Sequence, residues 1–156
     1  MIVKRGKGDL NKIYRPSKIS EVVGNEVIKR TISKAMIKGT LPHAMLFTGQ
    51  SGCGKTTMAR VIALGLNCIT DITAEPCCEC VSCKATLNLN SFAVQELDGA
   101  LTGNIDTVRN LLNNLPSAPM GGERFKIVIF DEAHNLSGKA EDALLKFLED
   151  TPDHVY

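Results

Sequence analysis

Residues Gly49-Gln50-Ser51-Gly52-Cys53-Gly54-Lys55-Thr56 satisfy G-x-x-x-x-G-K-[ST] at every fixed position, and nothing else in this 156-residue chain restricts its fold so tightly. Glycines let the backbone curl around an anion so that its N–H groups converge on phosphate. Lys55 adds a point charge near the β- and γ-phosphates, and the Thr56 hydroxyl is suited to ligating Mg²⁺. A helix opening at Lys55 aims its positive dipole end at the same anion. The expected ligand is a magnesium nucleoside triphosphate, ATP. Its binding set is Gly49, Gln50, Ser51, Gly52, Cys53, Gly54, Lys55, Thr56 and Thr57. Cys53 makes that site sensitive to thiol oxidation.

The motif demands a strand before it and a helix after it. Residues 44–48 form a short apolar run that suits a buried parallel strand. After the loop, Met58, Val61, Ile62 and Leu66 recur at helical spacing. Upstream, Asn25 is a candidate N-cap for a helix with Val27, Ile28, Ile32, Ala35 and Met36 on its apolar face, stopping at Gly39. Downstream, residues 93–97 read as a second strand. A helix with Ile105, Val108, Leu111, Leu112 and Leu115 inward follows, and then a loop marked by Pro116, Pro119, Gly121 and Gly122. Residues 127–130 read as a third strand. Ser137 caps a helix with Ala140, Leu144, Leu145 and Leu148 inward, and His154-Val155-Tyr156 begins another strand. Strands alternating with helices imply a parallel α/β sheet.

Asp131 and Glu132 close the third strand. A carboxylate at the end of a strand beside the phosphate loop can hold Mg²⁺, and a second one residue on can activate water. Asp131 therefore takes the metal role together with Thr56. Glu132, with Lys55, takes the catalytic role, Glu132 as general base. His134 is expected to be a structural hydrogen-bonding residue.

Five of the six cysteines fall between Cys68 and Cys83. Cys68, Cys77, Cys80 and Cys83 form C-x8-C-x2-C-x2-C, a spacing that closes a tetrahedral, structural zinc site. Cys78 is an alternative to Cys77, which is preferred because it keeps the two-residue gap to Cys80. Such clustering, in a chain without a signal-peptide pattern, favours metal over disulfides. A net charge of +1 provides no global basic field, so nucleic-acid contact requires a local patch or partner subunits. No apolar run reaches the length of a membrane span, and a cytoplasmic location is expected.

Together these residues resemble the bacterial DNA polymerase III gamma/tau family, the AAA+ motor of the sliding-clamp loader. The resemblance runs from about Lys12 to the end of the chain. It rests on Tyr14-Arg15-Pro16, Val22-Val23-Gly24-Asn25, the phosphate loop and Gly65-Leu66-Asn67-Cys68. It continues through residues 76–83 and 98–109, the acid pair and residues 143–149. It implies an α/β P-loop NTPase of AAA+ type with an inserted four-cysteine zinc module. Tyr14, Pro16, Val22 and Val23 match the segment that packs around adenine. ATP, Mg²⁺ and Zn²⁺ are the implied cofactors. Other loader subunits in a hetero-oligomeric ring, the sliding clamp and primer-template DNA are the implied partners. The division is a flexible basic arm over 1–12, the N-terminal part of an AAA+ domain over 13–156, and a zinc insert over 67–84.

The resemblance also implies that the strand beginning near His154 sits between the phosphate-loop strand and the acid-pair strand. The 156 residues do not contain the family's sensor and arginine-finger motifs, so the chain is expected to be a fragment, marginal in stability and weakly active alone. Two further readings stand beside the loader motor. One is a nucleotide- and zinc-binding module without turnover. The other is a different P-loop ATPase, since Asp131-Glu132-Ala133-His134 also suits a helicase.

Overall fold

The computed structural model describes residues 14–119 and 122–156. The basic arm expected over 1–12, and Gly121, lie outside the described residues. The molecule is α/β, with helices packed around a small parallel sheet. A helical turn at Ile19–Glu21 leads to α1 (Glu26–Lys38). Then come α2 (Lys55–Leu66), α3 (Val81–Leu87), β1 (Val94–Asp98), α4 (Gly99–Thr102) and α5 (Ile105–Asn114). β2 (Ile127–Asp131), a turn at Ala133–Asn135 and α6 (Gly138–Leu148) complete the order. The helix α3, inside the cysteine stretch, has no sequence counterpart in the expectations above. None of the helices among the described residues is long and apolar enough to cross a membrane.

β1 and β2 pair in parallel, from Val94 opposite Ile127 to Asp98 opposite Asp131. The crossover between the two parallel strands is supplied by α4 and α5. Apolar side chains of α1, α2 and β2 make the main core, with Met36, Val61 and Ile62 fully buried. A second cluster joins Val108 and Leu112 of α5 to Ala140 of α6. Periodicity located these helices, but a stripe is buried only where a neighbour covers it. Val27 and Ile28 on α1 and Leu145 and Leu148 on α6, all expected inward, are exposed.

The strand expected over residues 44–48 is not formed. The segment is extended, with Met45 and Phe47 half-buried against the core and Leu46 82% exposed. A strand needs a ladder partner, and none pairs with this segment among the described residues. The far side of β2 is bridged only at its start, where Lys126 pairs in parallel with Val155. The bonds are Lys126 N–H to His154 O at 2.7 Å, Tyr156 N–H to Lys126 O at 2.9 Å, and Val128 N–H to Tyr156 O at 2.9 Å. Beyond them a cavity of about 540 Å³ lies between residues 43–48 and β2. His43 steadies the entry to this slot: its Nδ1 is 2.8 Å from Val155 O and its ring stacks on Tyr156.

Candidate functional site

The phosphate loop turns through left-handed backbone at Gly52 (φ +79°) and Gly54 (φ +93°), conformations that a side chain would resist. Gly54 is the N-cap of α2, so the free amides of the first turn face the loop. Lys55 Nζ donates to the loop's own carbonyls, Gly49 O and Gln50 O, each at 3.0 Å. The ammonium is thereby held over the concavity that the glycines shape.

Thr56, on the first turn of α2, meets Asp131, at the end of β2. Thr56 Oγ1 is 3.1 Å from both carboxylate oxygens of Asp131. Mg²⁺ binds oxygen at 2.0–2.1 Å, so adjacent octahedral ligands stand roughly 2.9 Å apart. The hydroxyl and carboxylate therefore fit one shared Mg²⁺ shell. Both residues, with Lys55 and Glu132, line the cavity between residues 43–48 and β2. Glu132 stands in left-handed backbone (φ +48°), a costly conformation for a residue with a Cβ. Its carboxylate is more than half exposed and lies 3.5 Å from His134 Nδ1. His134 is itself exposed, and the carboxylate of Glu132 is its partner among the described residues. Gly99 makes room for this turn, because a Cβ there would stand 2.6 Å from Glu132 O.

The residues matched to the adenine side are not gathered into that cavity. Val22 is buried in the main core, Tyr14 and Val23 are exposed, and Pro16 is half-buried. An ion pair that sequence reading missed braces α2 against β1. Arg60 Nε and Nη2 reach the two oxygens of Glu96 at 2.6 and 2.5 Å. Its signal was an arginine interrupting the apolar run of a buried helix.

The cysteines form a second centre. The sulfurs of Cys68, Cys77, Cys80 and Cys83 all lie within 4.8 Å of one another. A tetrahedral ZnS₄ site with bonds of about 2.3 Å has S···S edges of roughly 3.8 Å, so this cluster fits the ion with small adjustments. Backbone amides already point at the sulfurs: Cys77 N–H to Cys68 Sγ, Cys80 N–H to Cys77 Sγ and Cys83 N–H to Cys80 Sγ, at 3.4–3.5 Å. Burial pushes the Cys68 thiol up, but bonds from Cys77 N–H and Thr70 outweigh it and bring it to about 6. Burial likewise pushes the Cys80 thiol up, but bonds from the Cys83 and Ile69 amides outweigh it and leave it below the usual thiol range. Cys83 is raised by its burial. Cys78 is outside the cluster: its backbone is left-handed (φ +59°), and its thiol donates to Pro76 O at 3.4 Å.

A family model described as "DNA polymerase III, delta subunit" matches residues 24–156. The chain is 42% identical over 142 residues to the DNA polymerase III subunit tau/gamma of Haemophilus influenzae, covering 91% of this chain and 20% of that protein. It is 41% identical to the DNA polymerase III subunit tau of Escherichia coli, covering 91% of this chain and 22% of that protein. For the tau subunit of Bacillus subtilis the identity is 38%, over 93% of this chain and 26% of that protein. The chain thus spans between 20% and 26% of the length of these relatives.

Proposed function

The chain belongs to the DNA polymerase III delta-subunit family, and on that premise we propose that it carries the nucleotide site of a sliding-clamp loader motor in DNA replication. The observation that carries this reading is the Thr56–Asp131 contact at the mouth of the phosphate loop. Bound MgATP supplies the scissile phosphoanhydride and a divalent charge that offsets its oxygens. Amides of residues 49–56 and the Lys55 ammonium orient the phosphates, while Thr56 and Asp131 hold the metal. The Glu132 carboxylate would take a proton from the attacking water, and Tyr14, Pro16, Val22 and Val23, which lie outside that cavity, would have to close on the adenine when nucleotide binds. Other loader subunits, the sliding clamp and primer-template DNA are its proposed partners. Cys68, Cys77, Cys80 and Cys83 hold a structural zinc within an insert over 67–84 of a single ATPase domain.

Two substitutions test the motor. Lys55→Ala removes a charge-assisted phosphate contact, and ATP affinity measured with a fluorescent nucleotide falls roughly 30- to 150-fold, the equivalent of about 2–3 kcal/mol. Unchanged affinity removes the phosphate-loop assignment. Glu132→Gln in a turnover-competent loader leaves binding intact and stops hydrolysis, and normal turnover in that variant excludes Glu132 as base.

A second reading is a nucleotide- and zinc-binding module without turnover of its own. Favouring it, residues 44–48 before the loop lie outside the sheet and Glu132 faces solvent. Steady-state phosphate release from the chain alone separates the two.

A further inference from the structure

Asn67 is 2% exposed, immediately precedes Cys68, and ends α2. Its side chain makes three bonds to the approach of β2. Nδ2 donates to Phe125 O at 2.8 Å, and Oδ1 accepts from Phe125 N–H at 2.9 Å and Arg124 N–H at 3.1 Å. A neighbouring tie joins the cysteine loop itself to the same segment: Arg124 Nη1 donates to Cys68 O at 2.9 Å, and Nη2 to Ile69 O at 3.4 Å.

These contacts sit at one end of two rods. α2 spans 12 residues, about 18 Å at 1.5 Å per residue. β2 runs beside it in the opposite sense over a similar length. At the far end the rods meet again, where Thr56 touches Asp131. The molecule is a ladder with two polar rungs, Asn67–Phe125 and Thr56–Asp131, and Met58, Ile62, Leu66, Ile127 and Ile129 pack in the core between them. Cys68 is fixed to one rung by the peptide bond. The MgATP site, as read above, is the other rung.

We propose that Asn67 is a positioning residue that couples metal occupancy of the four-thiol cluster to nucleotide affinity at the phosphate loop. Drawing the four sulfurs together around an ion fixes Cys68 and, through Asn67, the spacing of α2 and β2. That spacing sets whether Thr56 and Asp131 are in register for one Mg²⁺. Without the ion the Asn67 rung has more ways to be misplaced, and the far rung inherits that freedom. Linkage makes the effect reciprocal, so MgATP tightens zinc binding by the factor by which zinc tightens MgATP.

The inference rests on the nucleotide and metal readings above, and the test keeps them apart. Zinc-loaded and chelator-stripped chain are titrated with MgATP, in wild type, Asn67→Ala, Asn67→Asp and Arg124→Ala. Wild type binds about 5- to 150-fold more tightly when zinc-loaded, the usual range of such coupling. Asn67→Ala brings that ratio close to one. Asn67→Asp, which keeps the acceptor for both amides, retains part of it, as does the surface change Arg124→Ala. A purely structural loss lowers both affinities and leaves the ratio alone. Independently of nucleotide, zinc slows exchange of the Ile127 and Ile129 amides in wild type and not in Asn67→Ala. A ratio of one in wild type that binds MgATP tightly overturns the coupling, and full coupling in Asn67→Ala overturns the role of Asn67. Absence of MgATP binding by the loaded wild type overturns the nucleotide reading instead, and the coupling with it.

Discussion

Thr56 and Asp131 lie 75 positions apart, and each is unremarkable until the fold brings it to the other. The sequence names both because their neighbours are local: glycines and a lysine around one, an apolar strand before the other. Their contact was not legible in the same way, since it depends on how α2 packs on β2. Gly65 shows the converse case. Nothing around it suggests a constraint, yet an added Cβ would stand 2.0 Å from Thr73 O and 2.6 Å from Met36 Cε, where the cysteine loop folds back on α2. Backbone cannot yield as a flexible side chain does. Gly65→Ala therefore destabilises the chain by about 1–3 kcal/mol or more, measured by urea denaturation, despite alanine's better helix propensity. A neutral or stabilising result would mean that the loop does not press on α2.

At the scale of elements, the helix caps separate what was readable from what was not. Ser137 caps α6 as its chemistry suggests, its hydroxyl accepting from Ala140 N–H. Asn25 stands at the expected position before α1 but in left-handed backbone, with no side-chain capping bond. The residue was legible there and its mechanism was not, because the turn at Gly24, also left-handed, sets the backbone first. The Arg60–Glu96 brace belongs to this scale too. Both side chains are about three-quarters buried, so truncating one strands the other. Arg60→Ala or Glu96→Ala costs about 2–4 kcal/mol, and the double substitution costs less than the sum. Additive losses in a double-mutant cycle would show the pair to be independent.

For the whole molecule, the apolar run of residues 44–48 was legible as extended chain, but its pairing was not, because pairing belongs to a neighbour. Amides of β1 and β2 are locked in a ladder, whereas those of Met45, Leu46 and Phe47 have no strand beside them among the described residues. Hydrogen exchange will show protection at 127–131 and little at 45–47, and the isolated chain will melt with low stability. Equal protection of both segments, with a single sharp transition, would contradict the unpaired slot. Zinc analysis extends the same test to the cysteine loop: about one ion per chain, with chelation lowering the melting temperature.

The proposed nucleotide site requires Thr56 and Asp131 to share one magnesium with a bound triphosphate. The most direct measurement compares ATP dissociation constants in excess Mg²⁺ and in chelator, for wild type and Asp131→Ala. Magnesium should tighten wild-type binding by about tenfold or more, the weight of one charge-assisted contact, and should do little for Asp131→Ala. Wild-type affinity indifferent to magnesium, or an undiminished magnesium effect in Asp131→Ala, would contradict it.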